Sequence, residues 1–342
     1  MPRESFFVIA IPNFREQNRG KGHLCLAPFF LFLISLGFSP SLATERGPAG
    51  ANAQTKITVS ANLVLLPVKV TDDRGSFVSG LKLEDFRVFE DGQEQKLTVF
   101  EQGDTPVTVG LVVDHSRSMG SKLPNVVTAV SSFAHSSNPQ DEMFVVDFND
   151  DVLIELMRGK SFSNDPKDLE EALKAVSARG RTALYDAVSE GLHHLRYGHL
   201  EKKALVIISD GGDNASHLKY SQVLAQAHES QTVIYSIALV GSDDGEENPG
   251  LLRRLCKDTG GIAYFPREGE SVEKISTEIA RDLREQYSLG YAPVNMKRAE
   301  GFRKIEVKVA ARGRGKLRVR TRQGYSPTAE KQATAQLEPG TK

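Results

Sequence analysis

An excess of charge of either sign is missing: 43 Lys and Arg face 44 Asp and Glu over 342 residues, a formal net charge of -1. Without a global basic field, neither nucleic acid nor anionic lipid is an expected partner. Cysteine is nearly missing too, with only Cys25 and Cys256. If the N-terminal stretch holding Cys25 is removed, no internal disulfide can form and the hydrophobic core must hold the chain together. Cys256, in LLRRLCKD, falls on the apolar side of a helical pattern and reads as a buried helix cysteine rather than a reactive thiol. The short catalytic signatures are absent as well. There is no Gly-x-Ser-x-Gly elbow, no His-Glu-x-x-His, no Walker loop and no Gly-x-Gly-x-x-Gly.

What is present begins with an apolar run, HLCLAPFFLFLISLGFSPSLA (residues 23–43), preceded by Arg15, Arg19 and Lys21. It ends in Ser41-Leu42-Ala43, a small-residue cleavage pattern, so residues 1–43 are expected to be a signal peptide. The rival is an uncleaved anchor, against which stand the short run and its Pro28 and Pro40. Cys25 opens the run instead of following it, so it lacks the lipobox context expected of a lipidation site. Cleavage removes four of the 43 basic and two of the 44 acidic residues, leaving -3. The expected product is exported, to periplasm, cell surface or medium, with no stable membrane span.

A composition 39% hydrophobic and 25% charged is ordinary for a globular chain, and the length suggests roughly two domains. Residues 44–55 read as a linker. Residues 56–102 have β texture, with Asp91-Gly92 between two apolar runs as a hairpin signal and at most a turn at Leu83–Asp85. From 105 to 286, strands alternate with helices. VTVGLVVD, EMFVVDF, ALVIISD and TVIYSIALV are continuous apolar runs, the mark of strands buried on both faces. DPKDLEEALKAV, TALYDAVSEGLHHL, HLKYSQVLAQAHES and SVEKISTEIARDLREQ are amphipathic helices. An α/β, doubly wound, mostly parallel sheet follows. Residues 287–326 return to β texture, and the arginines 318, 320 and 322 read as the solvated face of a strand. The tail from 327 is polar and reads as disordered. Neither β segment buries much alone, so the two are expected to form a small sandwich into which the α/β unit is inserted.

Asp114-His115-Ser116-Arg117-Ser118 follows directly on VTVGLVV. One such loop could be a helix cap, a phosphate cradle or a cation site. Two further loops carry matching oxygens: Thr182 stands just before a helix, and Ser209-Asp210 ends a buried strand before two glycines. Ligands of open α/β sheets bind at strand carboxyl ends. Asp114, Ser116, Ser118, Thr182 and Asp210 together offer three hydroxyls and two carboxylates. That set suits Mg²⁺, with Mn²⁺ or Ca²⁺ as alternatives. Two carboxylates undersupply a divalent ion, leaving room for a third from a partner. Asp213 and Asn214 read as turn-formers close enough to support the ligands. Asp147, Asp150 and Asp151 in VVDFNDDV read as a hairpin turn rather than a second cation site. His193 and His194, adjacent on a helix, point about 100° apart and are poorly placed to share a metal. With His199 they read as a solvated helix end.

At this point the chain resembles a von Willebrand factor type A (VWA) domain over about Val107–Gln286, with all five positions of its metal-ion-dependent adhesion site (MIDAS). In that family the serine hydroxyls touch the metal directly, the aspartates act largely through water, and the threonine contact depends on conformational state. The flanks VTDDRGSFVSGLKLEDFRVFEDGQEQKLTVF and YSLGYAP, GFRKIEVKV and VRTRQGY resemble the bacterial "VWFA-related Acidobacterial domain" proteins. The resemblance implies an exported, non-enzymatic protein-binding or adhesion module that engages a partner carboxylate through the bound ion. His115 and Arg117 would flank the ion, and the helix before Tyr287 would report conformation. One alternative is a structural envelope protein using the scaffold without metal. Another is a metal-dependent hydrolase, against which stands Ser116 where an aspartyl-phosphate phosphatase carries a second carboxylate.

Overall fold

The computed structural model describes residues 63–156, 159–173, 177–241, 247–267, 269–294 and 301–327. The expected signal peptide, linker and nearly all of the tail lie outside these residues. Among the described residues, no helix is long and apolar enough to cross a membrane.

The apolar alternation of the N-terminal segment becomes β1 (Val64–Thr71), β2 (Phe86–Glu90), β3 (Gln93–Gln95) and β4 (Leu97–Gln102), with a 3-10 turn at Leu83–Asp85. Asp91 and Gly92 join β2 to β3 in a two-residue turn, both with positive φ (48° and 83°), the geometry that favours glycine there. The central segment follows. Its elements are β5 (Val107–Asp114), α1 (Leu123–Ser136), β6 (Glu142–Phe148), β7 (Val152–Glu155), α2 (Pro166–Leu173) and α3 (Leu184–His194). Then come β8 (Lys202–Ser209), α4 (Tyr220–Ser230), β9 (Val233–Ala238), α5 (Pro249–Thr259), β10 (Ala263–Tyr264) and α6 (Val272–Arg284). The chain returns to β texture in β11 (Tyr287–Tyr291), β12 (Arg303–Val309), β13 (Arg318–Arg320) and β14 (Gly324–Tyr325).

The central sheet has the order β10-β9-β8-β5-β6-β7, parallel except for the edge strand β7. Its continuous apolar runs are explained by burial on both faces. Val109, Leu111 and Val113 pack with Val206 and Ile208 under α1, α2 and α6, whereas Val112, Leu205 and Ile207 pack under α3, α4 and α5. Gly110 lies between Phe144 and Leu205, where an added Cβ would stand 2.5 Å and 2.6 Å from their side chains. Gly110→Ala is therefore expected to destabilise the fold by about 1–3 kcal/mol through overpacking, read from urea unfolding.

Helix starts follow the local signals. Asp165 accepts the Lys167 amide (3.0 Å) ahead of α2, and Asn248 accepts the Leu251 amide (3.1 Å) ahead of α5. Cys256 is buried on α5 beside Ser236, and burial pushes its thiol up to about 12, which leaves it inert. Helix α1 is the one that sequence periodicity did not reveal. Its Ser131, Ser132 and Ser136 weaken the pattern, and packing of Val126, Val130 and Phe133 supports it instead.

The flanking strands interleave. One four-stranded sheet runs β13-β1-β11-β4 and the other β14-β12-β2-β3, so each mixes N-terminal with C-terminal strands around a shared core. The entering strand β4 pairs antiparallel with the leaving strand β11, from Tyr287↔Gln102 to Tyr291↔Leu97. Sandwich and α/β unit are joined by the arginines expected on a solvated strand face, and that expectation is corrected here. Only Arg318 is exposed. Arg320 pairs with Asp282 of α6 and donates to the Gly260 carbonyl (2.6 Å). Arg322, 3% exposed, donates to the carbonyl of Leu65 and to Gln231 (3.0 Å). The face turned from the sandwich core meets the α/β unit instead of water.

Candidate functional site

The site is built where strand order reverses. β5 leads outward to β6 on one side, and the chain later returns to lay β8 on the other, so loops diverge at the carboxyl ends of β5 and β8. Asp114 is the last residue of β5, and Asp210 follows the last residue of β8.

Asp114 is fully buried. One carboxylate oxygen accepts the Ser116 amide (2.8 Å) and the other the Ser209 hydroxyl (2.6 Å). The Ser116 and Ser118 hydroxyls are 3.2 Å apart, and Ser118 donates to Asp210 Oδ2 (2.7 Å). Asp210, also buried, accepts the Gly212 amide (3.1 Å) on its other oxygen. Four of the five expected residues thus form one linked group. Thr182 is joined through its loop. Its carbonyl accepts the amides of Asn214 (2.9 Å) and Ala215 (3.0 Å), and its amide donates to Asn214 Oδ1 (2.8 Å). The same loop is tied to the first by Arg117 N–H to the Gly180 carbonyl (3.3 Å) and Arg179 N–H to the His115 carbonyl (3.0 Å).

Burial pushes Asp114 up to about 6, the Ser116 and Ser209 hydrogen bonds pull it back, and the charge of Asp210 adds to the rise. Two buried carboxylates and the hydroxyls of Ser116 and Ser118 form an all-oxygen donor set that fits a hard cation. Among the described residues, no group of three or more His, Cys, Asp or Glu is placed to hold a metal. A cation here would therefore depend on the hydroxyls.

The neighbours of the site divide between expected and unexpected. Asn214 supports Thr182 as described, and Asp213 accepts the Ser216 hydroxyl (2.5 Å) and the Tyr185 amide (3.2 Å). Asp147 is not in a hairpin turn; it lies in β6, and its carboxylate meets His115 Nδ1. Burial pushes the His115 imidazole down to about 4, so at neutral pH the ring is neutral and Nδ1–H donates to Asp147. Of the other two acids, Asp150 holds Arg181 (2.9 Å), while the Asp151 amide closes the β6–β7 turn on Asn149 Oδ1 (2.9 Å). The histidines do not converge: His194 packs on Phe144 and Phe162, and His199 pairs with Glu142 (2.7 Å).

Two participants gave no sequence signal. Lys122, 8% exposed, directs its ammonium to Asp210 (3.2 Å) and Glu247 (3.1 Å). A cavity of about 1240 Å³ lies elsewhere, at the amino ends of the strands around Val107, Lys202 and Val233, and none of the five residues lines it.

A family model for the von Willebrand factor type A domain matches residues 108–278, half of the chain. The chain belongs to the VWA family. Similar solved structures include a von Willebrand factor type A protein from Catenulispora acidiphila, 16% identical with a TM-score of 0.47, covering 58% of this chain and 50% of that one. Another is BatB, a conserved hypothetical protein from Bacteroides thetaiotaomicron, 18% identical with a TM-score of 0.41, covering 52% of this chain and 98% of that one. The PilB minor pilin from Streptococcus sanguinis is 15% identical with a TM-score of 0.40, covering 54% of this chain and 63% of that one. The chain thus spans half the length of the first of these. No curated protein matches it. The VWA fold accounts for the six-stranded sheet; the two interleaved sheets lie beyond the matched residues.

Proposed function

We propose that this VWA protein is an exported protein-binding or adhesion module, and not an enzyme, that grips an acidic residue of its partner through a divalent cation. The observation that carries this reading is the linked group Asp114–Ser116–Ser118–Asp210, oxygen-only, buried except for the half-buried Ser118, and set at the carboxyl edge of the sheet. Ser116, Ser118 and Thr182 would supply hydroxyl oxygens, and Asp114 and Asp210 would supply charge and orient coordinated water. The ion is Mg²⁺ in this reading, with Mn²⁺ or Ca²⁺ as substitutes, and when bound it supplies a Lewis-acidic position for a carboxylate oxygen. Asp114 and Asp210 hold Ser116 and Ser118 in place. His115, fixed by Asp147, and Arg117, whose amide is tied to Gly180, shape the rim. The module spans 105–286, inserted between 56–102 and 287–326.

Mg²⁺ titrated calorimetrically into the protein is expected to show one saturable site. The Ser116→Ala/Ser118→Ala variant is expected to lose it while keeping its circular dichroism spectrum. Binding retained in that variant would place the ion elsewhere.

A second reading rests on Lys122. Its ammonium already balances Asp210, which fits a scaffold that folds and serves a structural role without metal. A wild-type protein that takes up no Mg²⁺ at millimolar concentration would favour it.

A further inference from the structure

Lys122 closes the 3-10 turn Arg117–Lys122 directly after the Asp114–Ser118 loop. Lysine side chains ordinarily extend to keep the ammonium in water. This one folds inward, with its side chain only 10% exposed. Its Nζ lies 3.2 Å from Asp210 Oδ2, the oxygen that also accepts the Ser118 hydroxyl at 2.7 Å. A second acceptor, Glu247 Oε1, stands 3.1 Å away and is itself held by the Gly241 amide at 2.7 Å. A buried ammonium is costly unless its charge is matched. Here the matching charge is Asp210, one of the two carboxylates that a divalent ion at this site would use.

We propose that Lys122 is the resident cation of the site. Its ammonium balances Asp210 when no divalent ion is present and has to give up Asp210 when one is taken up. This rests on the metal-binding reading above and adds the residue that sets the affinity. Two positive charges compete for one carboxylate oxygen in a water-poor setting, where repulsion is only weakly screened. Glu247 is the acceptor that keeps the displaced ammonium from being left uncompensated. The site is therefore stable before loading, and its affinity for the ion is lower than the two aspartates alone would give.

The test uses the full chain and Mg²⁺ alone, comparing wild type with Lys122→Gln and Lys122→Met by calorimetry and by unfolding midpoints with and without the ion. The glutamine amide keeps donors for Asp210 and Glu247 while removing the charge. Lys122→Gln is expected to bind Mg²⁺ about tenfold more tightly than wild type, with a larger Mg²⁺-induced rise in midpoint. Equal or weaker binding by the folded variant, with wild type binding normally, would reduce Lys122 to a residue that positions Asp210 and leave the metal reading standing. Binding by the variant but not by wild type would support Lys122 as the resident cation and show that the native chain does not load the ion alone. No binding by either would overturn both. A readout free of folding effects comes from wild type itself: acylation of Lys122, followed by mass spectrometry, is expected to speed up several-fold on adding Mg²⁺. An unchanged rate would overturn the displacement.

Discussion

Asp282→Ala is expected to cost about 3–5 kcal/mol of unfolding free energy, the loss typical of a buried ion pair deprived of one partner. Asp282 is the anion on which the two parts of the molecule meet. Lys69 of β1 lies 3.1 Å away, Arg320 of β13 pairs with its other oxygen, and the Tyr235 hydroxyl donates to it at 2.7 Å. Removing the carboxylate leaves two cations without their shared partner; among the described residues, Lys69 keeps the half-exposed Glu285 as its ion pair. Burial pushes Asp282 up, but Arg320 and Lys69 outweigh it and hold the carboxyl below the ordinary 3.8. The sign follows from linkage. A depressed carboxyl contributes stability that is fully present above its unfolded value and lost as pH falls through the folded one. The wild-type advantage over Asp282→Ala should therefore persist from neutrality to about pH 4 and shrink below it. Urea unfolding across that range checks both statements. A cost under about 1 kcal/mol at pH 7 would mean that the two parts hold together without this cluster.

Asp114→Asn should act in the opposite direction on stability. With the carboxyl raised from 3.8 to about 6, the folded state holds the proton more readily than the unfolded chain. The penalty is absent below the unfolded value, grows as pH rises between the two and is complete above the folded one. A shift of roughly two units corresponds to about 3 kcal/mol, and that is the upper bound on what the neutral amide can recover at pH 7 without metal. The replacement suits the local hydrogen bonds. The amide oxygen can still accept the Ser116 amide, and its NH₂ can donate to Ser209 Oγ, which at present donates to the carboxylate and accepts the Gly211 amide. In chelator, the variant is expected to unfold at higher denaturant than wild type at pH 7, with the gap closing toward pH 4. Mg²⁺ uptake should be lost in the same variant. A variant less stable than wild type at pH 7 would show that the carboxylate is already compensated in the metal-free state.

The strand cores and their carboxyl-end oxygens were legible because local pattern encodes them. An apolar run buried on both faces has nowhere to place polar groups until it ends, so Asp114 and Ser209-Asp210 mark where β5 and β8 stop. The Asp91-Gly92 hairpin was legible for the same reason, its positive φ values being written into residue type. What escaped depends on partners far apart in the chain. Lys122 and Glu247 are separated by 125 positions and look like ordinary surface charges until folding brings them together. Asp147 was masked by its polar neighbours in DFNDD, although its place in β6 turns it toward His115. The alternation of Arg318, Arg320 and Arg322 correctly marked one face, but periodicity does not say whether that face meets water or another part of the molecule. Helix α1 failed as a pattern because tertiary packing outweighs weak propensity.

The ladder between β4 and β11 has a mechanical consequence. The backbone leaves the sandwich at Gln102 and comes back at Tyr287, and those two residues are paired neighbours. A load transmitted along the sandwich backbone crosses from one strand to the other through that ladder, so the α/β unit hangs beside the load path as a closed loop. Until the β4–β11 pairs separate, tension along the backbone bypasses the strand ends that carry Asp114 and Asp210. A protein held under pull could therefore keep the geometry of that edge intact, and would surrender it only after the ladder had opened.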